Sequence, residues 1–97
     1  MLEKAELEVR REVWSALAGV RGARELVNAA ATQLADAKES MRRMSERYKV
    51  GAATMTDLLD AQSALTSAEA LDVQSRWNSR LADAVLMRAL GTLAAGK

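Results

Sequence analysis

Apolar residues recur along the first half of the chain at alternating spacings of three and four. Val13, Ala16, Val20, Ala23, Val27, Ala30, Leu34, Ala37, Met41, Met44 and Tyr48 form one unbroken line. A period of 3.5 residues marks a helix that carries a coiled-coil seam, so the line predicts a helix from about residue 2 to 49. One of its two alternating positions holds Val, Val, Val, Leu, Met and Tyr, while the other is almost all alanine. Small residues on one line let a second backbone approach closely, which favours tight antiparallel packing over a leucine-zipper dimer. At 1.5 Å per residue such a helix runs about 70 Å. Gly19 and Gly22 weaken it locally by about 1 kcal/mol each and mark either a close contact or a bend.

The pattern stops at Gly51 and restarts at Thr54. Glycine enters the left-handed backbone region without steric cost and is the usual residue that ends a helix. Thr54-Met55-Thr56-Asp57 fits a capping box, in which the threonine hydroxyl accepts the amide of Asp57 and the carboxylate reaches back to the amide of Thr54. A turn over about residues 50–53 and a second helix over about 54–91 follow. The seam of that helix is Ala61, Leu65, Ala68, Asp72, Ser75, Ser79, Ala82, Leu86 and Ala89, smaller and more polar than the first. Folded back about Gly51, the two seams pair by distance from the turn: Leu34 with Ala68, Val27 with Ser75, Val20 with Ala82. Large residues then face small ones, which is how packed layers interdigitate. Asp72 is the flaw in this line, and its carboxylate is expected to reach past the seam to solvent or to an arginine. The fold class is all-α, a long antiparallel two-helix coiled-coil hairpin forming one domain.

Each arm also carries apolar residues off its seam. Leu7, Trp14, Leu17, Leu26 and Ala31 do so on the first, and Leu71, Val73, Trp77, Leu81 and Val85 on the second. A lone pair of helices cannot bury two faces, and each large apolar side chain left in water forgoes about 1.5–3 kcal/mol. The hairpin therefore needs further helical neighbours, either more hairpins in a barrel wall or a self-associated bundle. Met41, Met44 and Met55 are expected as core fillers. Trp14 and Trp77 are expected as contacts to neighbours rather than as base-stacking platforms.

Composition narrows the chemistry. The 97 residues contain no proline, no phenylalanine, no cysteine and no histidine. Disulfides and thiolate zinc sites are excluded, and the commonest general base and metal ligand is missing. No nucleophile sits beside a base and no glycine-rich phosphate loop appears, so neither an enzyme nor a cofactor is expected. A net charge of +1 argues against a nucleic-acid partner. Met1-Leu2-Glu3-Lys4 opens a charged helix rather than a leader, and nothing approaches the roughly 20 apolar residues of a spanning helix. Read literally, the chain is soluble and unexported. The bare start and the Gly96-Lys97 end suit the boundary of an excised piece.

The turn holds the chemistry that remains. Asp57 and Asp60, three apart, lie on one helix face in its first turn. Carboxylates there stabilise a helix start through the dipole and its free amides. Arg42, Arg43, Arg47 and Lys49 make the end of the first helix basic, which suits its dipole in the same way. Tyr48 ends the first seam, its ring packed at the terminus and its hydroxyl in water.

Tyr48, Gly51, Asp57 and the run Leu58-Leu59-Asp60-Ala61-Gln62 resemble the helical-hairpin tip of outer-membrane efflux proteins of the TolC type. Ala89-Leu90-Gly91 is similar to that family's end of the second helix. The resemblance covers nearly the whole chain but only about one hairpin of a much longer family member, whose signal and membrane strands would lie elsewhere. It implies the second, carboxy-terminal hairpin of the periplasmic barrel of a trimeric efflux or secretion channel in a Gram-negative outer membrane. A periplasmic adaptor protein is the implied partner, with an inner-membrane transporter engaged indirectly. The resemblance further implies that Asp57 and Asp60 ring and constrict the channel mouth, where like charges are relieved by cations, by protonation or by opening. It places Tyr48 in closed-state contacts. It places Gly51, Ala52, Ala53, Thr54, Arg47 and Lys49 at the turn and adaptor-docking surface. Ala53 departs from members that carry a locking arginine there, so a closed state must rest on packing and other charges. The rival reading is a soluble interaction module that dimerises into a four-helix bundle.

Overall fold

A computed structural model describes residues 2–95, with only the backbone of Leu2. Met1 and Gly96-Lys97, including the expected piece boundary, lie outside the described residues. Two helices make up the fold, α1 over Leu2–Lys49 and α2 over Met55–Ala95. They lie antiparallel in a rod of 73 × 15 × 14 Å. Residues 11–19 share an open groove with residues 82–92, the register that folding about Gly51 imposes.

The seams are where the pattern puts them. Ala16, Val20 and Ala30 on α1, with Ala68 and Ala89 on α2, are the buried apolar residues, and Ala68 is only 1 % exposed. Val27, Leu34, Ala37, Met41 and Met44, with Leu65, Ala82 and Leu86 opposite, are half-buried. The core is a single thin line dominated by alanine, because two helices alone enclose no volume for larger side chains. Trp14, Leu26, Val73, Trp77 and Val85 remain exposed, Trp14 at 70 %.

Four expectations change. The second helix does not end at Gly91 but continues to Ala95. Gly91 keeps a helical backbone, since Gly51 is the only described residue with positive φ. The Thr92 hydroxyl donates to the Arg88 carbonyl (3.0 Å), and Leu93 lines a notch with Val13, Trp14 and Leu17 of α1, so packing carries the helix past the glycine. Gly19 and Gly22 mark no close approach within the hairpin, because a Cβ on either meets nothing within 4 Å. Met55 is 51 % exposed rather than a core filler, being the first residue of α2 and off its seam. Asp72 does reach an arginine, Arg76 on its own helix (3.3 Å), but it does not escape the seam. The residue is 8 % exposed, and its Oδ1 is buried without a hydrogen-bond partner. Buried Ser75 offers no help, since its hydroxyl donates to the Asp72 main-chain carbonyl (2.9 Å).

Candidate functional site

The turn is built from two interlocking backbone motifs. Gly51 has φ 76°. Its amide donates to the Tyr48 carbonyl (3.1 Å), and the Ala52 amide donates to the Arg47 carbonyl (2.7 Å). These are the two bonds of a Schellman cap, which satisfies carbonyls that the end of α1 would otherwise leave unpaired. Two residues on, the Asp57 amide donates to the Thr54 hydroxyl (3.1 Å), and the Thr54 amide donates to Asp57 Oδ2 (3.0 Å). The Leu58 amide closes the first helical bond to the Thr54 carbonyl (3.1 Å). Ala53 and Leu58, at the positions that flank such a box in a hydrophobic staple, are both half-buried. One helix is thus closed and the next opened with only Val50 to Thr54 between them.

This geometry brings Arg47, Tyr48, Lys49, Gly51, Ala52, Ala53, Thr54 and Asp57 to one end of the rod. Asp60 follows one turn into α2 and is exposed, as is Asp57. The bonds from the Thr54 amide and hydroxyl, helped by the positive charge of Arg47, hold the Asp57 carboxyl below its ordinary range. Tyr48, the last seam residue, is 39 % exposed.

The basic end of α1 divides into two kinds of charge. Arg42 is clamped between Glu39 (2.6 Å) and Glu46 (2.8 Å), which lowers the Glu39 carboxyl and raises the guanidinium. Arg43 lies 3.9 Å from Glu39. Neither Arg47 nor Lys49 forms an ion pair among the described residues, so these two leave their charge available at the tip. The residue that sequence reasoning undervalued is Asp72. Its polar seam position was visible, but the orphaned Oδ1 appears only once the helix faces are fixed in space.

The family model described as Outer membrane efflux protein matches residues 1–92. The chain belongs to the outer membrane efflux protein family. No curated protein and no solved structure matches it. Outer membrane efflux proteins form trimeric channels that work with adaptor proteins, and the hairpin is a helical component of such a channel. No helix among the described residues is long and apolar enough to cross a membrane.

Proposed function

We propose that this chain is the carboxy-terminal α-hairpin of the periplasmic barrel in an outer-membrane efflux or secretion channel, with its turn at the inner, periplasmic end. The doubly capped turn carries this reading. It holds two exposed carboxylates, Asp57 and Asp60, next to the unpaired cations Arg47 and Lys49. In a trimer, symmetry sets copies of Asp57 and Asp60 around one axis, where their repulsion favours cation binding or opening. Tyr48 stands beside them to contact the neighbouring hairpin when the mouth is closed. Gly51, Ala52, Ala53 and Thr54, flanked by Arg47 and Lys49, form the surface on which the adaptor docks, and the inner-membrane transporter is engaged through that adaptor. The work assigned is mechanical and electrostatic, with no catalytic step, no cofactor and no nucleic acid. Placing Asp57→Ala with Asp60→Ala in the full-length subunit tests it. The expected result is weaker block by divalent cations and altered single-channel conductance in planar bilayers. Unchanged conductance and block would refute the aperture role.

A second reading has its own support. The off-seam faces of both arms are exposed, with Trp14 at 70 % and Trp77 at 60 %, so the isolated hairpin is suited to self-association as a four-helix bundle. The two readings are compatible, since a piece of a barrel wall needs its missing neighbours replaced.

A further inference from the structure

The two sides of the rod differ. On both arms the residue before each seam position falls on one side, where Glu12, Ser15 and Gly19 of α1 share the open groove with Val85, Arg88 and Thr92 of α2. Continued along the arms, this side carries Gly22, Leu26 and Arg43 on α1 and Asp60, Leu71 and Leu81 on α2, all exposed. Glu12, Asp60 and Arg88 form no ion pair among the described residues, and Arg43 reaches only Glu39, at 3.9 Å. Glycine inside a helix is destabilising, yet nothing within the hairpin calls for Gly19 or Gly22, since a Cβ on either meets nothing within 4 Å. The opposite side is basic. It presents Arg21 and Arg24 on α1 level with Arg80 and Arg76 on α2, all exposed.

We propose that the groove side is where two copies of this chain pair, side by side with both turns at the same end, so that α1 of each copy runs antiparallel to α2 of the other. This deepens the self-association reading and rests on it, not on the channel. Residues of the two copies then oppose one another at equal distances from the turn. Glu12 meets the partner copy's Arg88, and Arg43 meets the partner copy's Asp60, each contact made twice by the two-fold symmetry. The partner copy's Val85 lies over Gly19 and its Leu81 over Gly22, where the missing Cβ atoms let larger side chains close in. Pairing through the basic side would instead set Arg21 and Arg24 against the partner copy's Arg80 and Arg76. Reversing one copy end for end on the groove side would still oppose Glu12 to Arg43 and Asp60 to Arg88. It would also set Gly19 against Asp36 and Leu81 against Ser67, leaving the groove unfilled, so packing selects the same-end arrangement.

The chain has no cysteine, so single cysteines report proximity without interference. Sedimentation equilibrium should give a species of twice 10.5 kDa. Under mild oxidation, a mixture of the Ser40→Cys and Ala64→Cys chains should form a disulfide-linked pair. Ser40→Cys mixed with Ser15→Cys, the contact of the reversed arrangement, should not, nor should Ala35→Cys mixed with Thr66→Cys on the basic side. Glu12→Arg should raise the dimer dissociation constant about tenfold, and adding Arg88→Glu to the same chain should restore it. Gly22→Leu favours the helix itself, yet it should weaken the dimer while circular dichroism at high concentration keeps the helix content. Cross-linking through Ser15→Cys in place of Ala64→Cys would overturn the orientation, and cross-linking through Ala35→Cys and Thr66→Cys would overturn the choice of side. In either case a doubled mass would leave the self-association reading standing. Failure of Arg88→Glu to rescue Glu12→Arg, or a dimer as tight with Gly22→Leu as without it, would also overturn the proposal. A monomer at every concentration would remove the self-association reading and the proposal together.

Discussion

At the turn, the backbone supplies nearly everything it needs from within about a dozen residues. The end of α1 is closed by amides of Gly51 and Ala52, and the start of α2 by Thr54 and Asp57. Along the arms the reverse holds. The buried seam is mostly alanine, large apolar side chains stand in solvent, and one carboxylate oxygen of Asp72 has no partner. The contrast separates two sources of structure. The turn follows from local hydrogen bonding and one residue's backbone freedom, whereas the arms follow from a periodicity that a single hairpin can only half satisfy. A tip that keeps its shape alone on arms that need company is what a stave with a working end requires.

Substitutions can sharpen or break that contrast. The largest effect is expected at the seam. Ala68 is 1 % exposed, and Ala68→Leu forces the helices apart at a cost of about 1–3 kcal/mol, read as a fall in the midpoint of urea unfolding. Gly51→Ala comes next, at about 1–2 kcal/mol, because φ 76° is strained for any residue with a Cβ. A Cβ there meets nothing within 4 Å, so the whole cost is backbone strain and the helix content should be unchanged. Asp72→Ala should act in the opposite sense and raise stability by about 1 kcal/mol, since it removes a buried unpaired acceptor and leaves Arg76 in solvent. A loss of stability there would show that the orphaned oxygen finds a partner in solution.

The smallest effect is electrostatic and lies at the turn. The folded chain holds the Asp57 carboxyl below its ordinary range, so the unfolded chain takes up the proton more readily. Its contribution is complete above the unfolded value of about 4 and is lost as pH falls through the lower folded value. Asp57→Asn should therefore be less stable than the parent at neutral pH and converge on it as pH drops below about 4. Glu39, lowered by Arg42, loses its contribution in the same window, so some slope should persist in the variant.

The fold was readable from sequence because both determinants are simple. The unbroken run from Val13 to Tyr48 suffices to mark a coiled coil, and every one of its residues up to Met44 is buried or half-buried. Gly51 and the Thr54–Asp57 box were equally readable, since each motif is set by neighbours within three residues. The end of α2 was not. Gly91 resembles a stop, yet Leu93 finds cover across α1, a contact invisible until the arms are in register. For the same reason the sequence left Asp72 open between solvent and an arginine. At the tip the residues expected to act together do share one end of the rod.

The claim that the arms are incomplete alone is tested most directly by light scattering on the isolated chain, whose mass is 10.5 kDa. A folded species at a multiple of that mass is expected, dissociating and losing helix together on dilution. A stable, fully helical monomer that stays monomeric as concentration rises would contradict it.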